Sequence, residues 1–168
     1  MKSSLVQEPP EGIELTGVCY ELLRWEAGPS PDTLVDASMS VILRFGNAVD
    51  IRFHWAVGNG SERLTIARWH EGDYLPQTRM EDVSERWPAI IGARVAGQRL
   101  SLQETEWGIE PWACRVDFDN ESHLVIALGE LTRDGEIVYI PDSLVITGSE
   151  ATARSYRPPA ASSAAWAD

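Results

Sequence analysis

The stretch Glu104-Thr105-Glu106-Trp107-Gly108-Ile109-Glu110 sets three carboxylates around one tryptophan, a composition suited to holding a basic group. Glu104 and Glu106 would share a face if this stretch were a strand, and paired carboxylates in a cleft can divide acid and base roles, as glycoside hydrolysis requires. Solvated acidic strand edges are the plainer account of such a pair. Trp107 sits where the apolar alternation breaks. Two roles are open to it: a lid over one end of the fold, or an aromatic anchor within an acidic contact surface, since tryptophan is enriched at interface hot spots.

His54, His70 and His123 are the chain's only histidines. A metal site would have to gather them with a carboxylate. The strand pairing inferred below puts Asp50, not His54, opposite the Trp69/His70 end, so no metal or other cofactor is expected. Cys19 and Cys114 stand alone without a Cys-x-x-Cys pair and fall in apolar alternating stretches, where buried thiols act as small hydrophobes. His123 with Asp142-Ser143 would supply a nucleophile set, but Tyr139-Ile140-Pro141-Asp142-Ser143 reads more simply as a strand running into a proline turn. Glu130 and Tyr139 would face each other across a hairpin if Arg133 paired with Glu136. The chain contains no glycine-rich phosphate loop, Gly-x-Ser-x-Gly elbow, His-Glu-x-x-His or calcium loop.

Strands must position these residues. From Ser38 to Trp55, Met39, Val41, Leu43 and Phe45 alternate with Ser38, Ser40, Ile42 and Arg44, and after a Gly46-Asn47 break Val49, Ile51, Phe53 and Trp55 alternate with Asp50, Arg52 and His54. A two-residue turn at Gly46-Asn47 would set Leu43 opposite Asp50. A three-residue loop over Gly46 to Ala48 instead pairs Leu43 with Ile51 and keeps the apolar face continuous, so the longer loop is expected. Gly58-Asn59-Gly60-Ser61 reverses the chain into Arg63–Trp69, and Ile13–Trp25 forms a strand before this meander. Thr78-Arg79-Met80-Glu81 has capping-box spacing, and Met80, Val83 and Trp87 continue at helical intervals, predicting a short helix that ends at Pro88.

A second meander is predicted from Ala93–Gln103, Trp112–Phe118, His123–Leu131, Glu136–Ile140 and Leu144–Thr147, with Asp134-Gly135 as a type I′ turn. Ser149-Glu150 can cap a final helical turn. At an offset of 73 residues, Met39, Val41, Leu43, Phe45, Ile51 and Phe53 map onto Trp112, Cys114, Val116, Phe118, Leu124 and Ile126, all apolar, which marks 13–75 and 86–147 as a candidate pseudo-repeat. The expected organisation is an N-terminal extension over 1–12, one β-rich domain over 13–157, and a mobile small-residue tail over 158–168. The fold class is mainly β: an antiparallel barrel-like or sandwich domain of two meanders and about nine strands, with a short helix between them and a short C-terminal helix.

The 168 residues include 26 acids and 14 Lys or Arg, a net charge of −12, and a pI near 4.6. Phosphate backbones and anionic lipid surfaces repel such a chain, so nucleic-acid and membrane partners are not expected. Its N-terminus lacks a signal peptide's apolar stretch, and Leu124–Leu128 falls far short of the roughly 18 apolar residues of a membrane span; a cytoplasmic location is expected. The acidity is regional. Residues 104–142 carry Glu104, Glu106, Glu110, Asp117, Asp119, Glu121, Glu130, Asp134, Glu136 and Asp142 against Arg115 and Arg133, a net of −8. The expected function is therefore non-enzymatic binding of a basic protein through Glu104, Glu106, Trp107, Glu110, Asp119 and Glu121, in the manner of an immunity or inhibitor protein that occupies a toxin's positive groove. A closed sheet around Trp55, Trp112, Phe53 and Phe118 could instead carry a small apolar ligand, and a carboxylate–tyrosine enzyme built on Glu130 and Tyr139 is the third alternative.

Overall fold

A computed structural model of the chain describes residues 6–29, 35–58, 61–73 and 75–168. The expected reversal at Asn59-Gly60 lies outside the described residues. In chain order the elements are β1 (Leu15–Leu23), β2 (Val35–Ser38), β3 (Ser40–Phe45), β4 (Asp50–Gly58), β5 (Ser61–Arg68), β6 (Thr78–Asp82), a 3-10 turn (Ser84–Arg86), β7 (Val95–Thr105), β8 (Gly108–Phe118), β9 (His123–Leu128), β10 (Glu130–Leu131), β11 (Ile137–Val138), β12 (Leu144–Thr147) and α1 (Glu150–Arg154). Two five-stranded antiparallel sheets, ordered β5-β4-β3-β1-β6 and β2-β12-β9-β8-β7, form a sandwich-like fold that does not close into a barrel. Their alternating apolar residues supply a core that includes Tyr20, Phe53, Leu64, Trp112, Ile126 and Leu144.

The three-residue loop after β3 forms as expected: Leu43 pairs with Ile51, and the Phe45 N–H donates to the Val49 carbonyl at 3.1 Å. Ala48 takes the left-handed position that such loops need, with φ 62°. The same loop recurs between β8 and β9. There Phe118 N–H donates to Ser122 O, Glu121 has φ 65°, and Asn120 accepts from the Ser122 N–H as Asn47 does from Val49. Register agrees as well, since Val41 pairs with Phe53 and Cys114 with Ile126. Both leading strands shift register before a glycine, at Leu15/Gly17 and at Val95/Gly97. The two strand starts then bond reciprocally across the sandwich, with Leu15 N–H to Ala93 O and Val95 N–H to Ile13 O. The halves thus share registers, loop and bulge at matching positions.

Four expectations are corrected. Thr78–Asp82 is a strand on the free side of β1, not the start of a helix; the Thr78 hydroxyl donates to the Glu21 carboxylate rather than capping a helix. A single 3-10 turn, Ser84–Arg86, lies between β6 and β7, and Trp87, at its end, donates its indole N–H to Tyr20 Oη. β2 was not anticipated, and it joins the sheet opposite its sequence neighbour β3 by pairing with β12. The turn at Asp134-Gly135 is again a three-residue loop, with Thr132 N–H donating to Glu136 O and Gly135 at φ 80°. Glu130 therefore pairs with Val138 and not with Tyr139.

The tail is the largest departure. Ala161, Ala165, Trp166 and Ala167 are buried. Ala160 O accepts from Glu104 N–H, Ala161 bridges Gln103, and Ala164 O accepts from the Ser101 hydroxyl. Trp166 lies under the Arg115 guanidinium at 4.3 Å and meets the His123 ring edge-on at 4.9 Å. Small residues let the chain lie flat on the sheet edge, and one large aromatic pins it there.

Candidate functional site

β7 and β8 form a long hairpin at the edge of the second sheet, and its tip carries the acidic, tryptophan-bearing stretch. Pairing of Leu102 with Pro111 and Glu104 with Ile109 puts these four residues on one face. The tip is tightened by the Thr105 hydroxyl, which donates to Gly108 O and accepts from Trp107 N–H. Gly108 holds φ 122°, a conformation that favours glycine. Trp107 is left 58% exposed and Ile109 67% exposed, with Leu102 partly exposed beside them. Trp107 is thus no lid. Glu104 and Glu106 are exposed, and neither takes part in an ion pair among the described residues. Glu110 differs: it points to the other sheet and pairs with Arg63 on β5 at 3.3 Å.

Beside this tip the tail forms the second wall of a groove of about 420 Å³, lined by Leu102, Gln103, Glu104 and Ile109 from the hairpin and Pro159–Ser162 from the tail. Asp119 and Glu121 do not join the surface. They occupy the β8–β9 loop, at the opposite end of β8 and about 30 Å from Glu110 at ~3.3 Å per residue. Asp119 accepts from the Arg94 N–H, and Glu121 lines a separate cleft with Trp87 and His123. Asp117 is committed to Arg115, Arg99 and His123. The Arg115 Nε lies 2.8 Å from Asp117 Oδ1 as an ion pair, without hydrogen-bond alignment. The acids of 104–142 therefore divide between separate places.

Two side-chain sets considered from the sequence are not brought together. His123 bonds Asp117 at 2.8 Å, whereas Ser143 lies beside Gly129 at the far end of β9. Tyr139 Oη accepts from the Gln103 amide instead of facing Glu130. Phe53, Trp112 and Phe118 are packed into the core. No described group of three or more His, Cys, Asp or Glu is arranged to hold a metal, and no described helix is long and apolar enough to cross a membrane.

Sequence reasoning missed two buried polar clusters. Glu21, 1% exposed on the outer side of β1, accepts from Ser40 Oγ, Thr78 Oγ1, Leu75 N–H and Arg52 Nη2. Burial pushes its carboxyl up, but these donors together outweigh burial and hold it below the ordinary value. Asp36, 3% exposed, joins Tyr20 Oη at 2.8 Å to Arg86 Nε at 2.8 Å. The available signal was a lone acid in each apolar run, Val18–Leu23 and Val35–Ser38.

His54, across β3–β4 from Ser40, has a buried Nδ1 without a partner among the described residues. Burial, followed by the Arg52 charge, depresses its pKa from 6.5 to about 4. Unfolded chains bind a proton there below pH 6.5 that the folded chain refuses until about 4, so stability is full above 6.5 and falls with pH across that window. Urea midpoints should drop between pH 7 and 5, and His54→Gln should remove about 1 kcal/mol of that drop, allowing for solvent screening. An unchanged pH slope in the variant would refute this role.

No protein-family model, curated protein or solved structure matches this chain.

Proposed function

We propose that the chain is a non-enzymatic binding protein that engages a basic protein partner through the tip of the β7–β8 hairpin. One observation carries this reading: Trp107 and Ile109, 58% and 67% exposed, stand on one hairpin tip beside Glu104 and Glu106, which take part in no ion pair among the described residues. Large apolar side chains held in water by a rigid hairpin cost free energy unless a partner covers them, and tryptophan anchors dominate interface energetics. Two exposed carboxylates on a chain of net charge −12 steer cationic surfaces toward the tip. A toxin or nuclease with a positive substrate groove is a concrete partner of this kind, and the hairpin would block it as an inhibitor does. Asp119 and Glu121, at the other end of β8, are left out of the proposed contact.

Affinity capture from native lysate at low salt, read by quantitative mass spectrometry, tests the proposal. A basic protein should be retained by the wild type and by the control Asp119→Lys/Glu121→Lys. Its retention should fall about tenfold or more with Trp107→Ala or Glu104→Lys/Glu106→Lys, and it should elute as salt shortens the screening length. The same proteins retained by the tip variants, or retention insensitive to salt, would overturn it.

A further inference from the structure

We infer that the groove between the β7–β8 hairpin and the C-terminal tail is a socket for one lysine or arginine side chain of the partner. This rests on the binding reading above and names the group that the tip recognises. The groove has two walls of different origin: Leu102 and Ile109 project from the hairpin, and Pro159 and Ala160 face them from the tail. Both walls are fixed. Glu104 N–H donates to Ala160 O at 3.1 Å, Ala161 N–H to Pro158 O at 3.0 Å, and the Ser101 hydroxyl to Ala164 O at 2.7 Å.

Glu104 supplies the only carboxylate among the residues that line this groove. Its backbone holds the tail while its side chain, exposed and without an ion pair among the described residues, stands beside apolar walls. That combination of a partly apolar groove with one carboxylate that has no ion pair among the described residues matches a side chain with a methylene stem and a cationic head. A purely apolar occupant would cover the Glu104 carboxylate without compensating it, which is costly. Anions are repelled by the same group. Trp107, at the tip next to the groove, would then cover the partner's surface around the inserted residue and exclude water from it.

The test is an NMR titration of the 15N-labelled full chain with Nα-acetyl-lysine methylamide, Nα-acetyl-arginine methylamide and, as the uncharged stem, Nα-acetyl-norleucine methylamide. A basic probe should shift the amides of Leu102, Glu104, Ile109 and Ala160 saturably, and norleucine should bind about fivefold more weakly. Glu104→Gln should erase that difference, and Ala160→Phe, which fills the groove, should abolish binding of all three. Norleucine binding as tightly as the basic probes, or Glu104→Gln leaving the basic probe's affinity unchanged, overturns the socket. Shifts confined to Trp107 with none in the groove overturn it too. In each case the tip can still lose its captured protein through Trp107→Ala, so failure of the socket is told apart from failure of the proposed function.

Discussion

Glu21→Ala is expected to cost about 3–5 kcal/mol of folding free energy, the range for removing one partner of a buried ion pair. For a chain of this size that lowers the melting temperature by about 10 °C. The reason lies in what is left behind. Among the described residues, Arg52, its side chain 19% exposed, would keep Asp73 O at 3.0 Å and Ser40 Oγ at 3.2 Å as acceptors, and Leu75 N–H would lose the Glu21 carboxylate. Thr78 Oγ1 retains Leu75 O, so the loop before β6 loses two of the bonds that tie it to β1. Glu21→Leu with Arg52→Met removes both charges and should recover much of the loss, because an apolar pair leaves no buried charge behind. Urea denaturation followed by tryptophan fluorescence measures both. A single-variant loss below about 1 kcal/mol, or a double variant no better than the single, would show that the cluster is not a coupled unit.

That cluster also shows where sequence legibility ends. Leu43–Ile51 pairing and the Gly46–Ala48 loop could be read from the chain because alternation and turn length are local and only one register keeps the apolar face whole. Thr78-Arg79-Met80-Glu81 satisfies a capping box equally locally, yet it is a strand, because Thr78 is claimed by Glu21, which lies far away in sequence. No window along the chain contains both. The acidic site divides in the same way. Trp107 was recognisable from the break in alternation around it, and it does stand exposed between Glu104 and Ile109. Asp119 and Glu121 were counted with it because a charge sum has no direction. Once β8 is one unbroken strand from Gly108 to Phe118, its two ends carry their acids to different places.

The tail's small residues suggested mobility, since composition does not reveal that Trp166 has a cationic platform waiting on β8. Trp166→Ala should therefore have a large effect. Trp166 is 6% exposed, packed under Arg115, within 5.7 Å of Arg154 and against the His123 ring. Truncating a buried tryptophan costs about 3–5 kcal/mol, and the lower end suits a segment that can detach while the sandwich stays folded. Detachment has a specific reporter. The Glu104 N–H donates to Ala160 O of the tail, so its hydrogen exchange should accelerate by about 100-fold in the variant while amides of β9 keep their protection. Trp166→Phe should keep most of the protection by preserving a ring over Arg115. Unchanged exchange at Glu104 in Trp166→Ala would mean that the tail is held by its backbone bonds alone. The loss also reaches the proposed socket: without the Pro159–Ala160 wall, Glu104 becomes an ordinary surface carboxylate on a bare edge strand. The lysine probe should then weaken at least as much as it does with Glu104→Gln, and norleucine with it, although the acid itself is untouched.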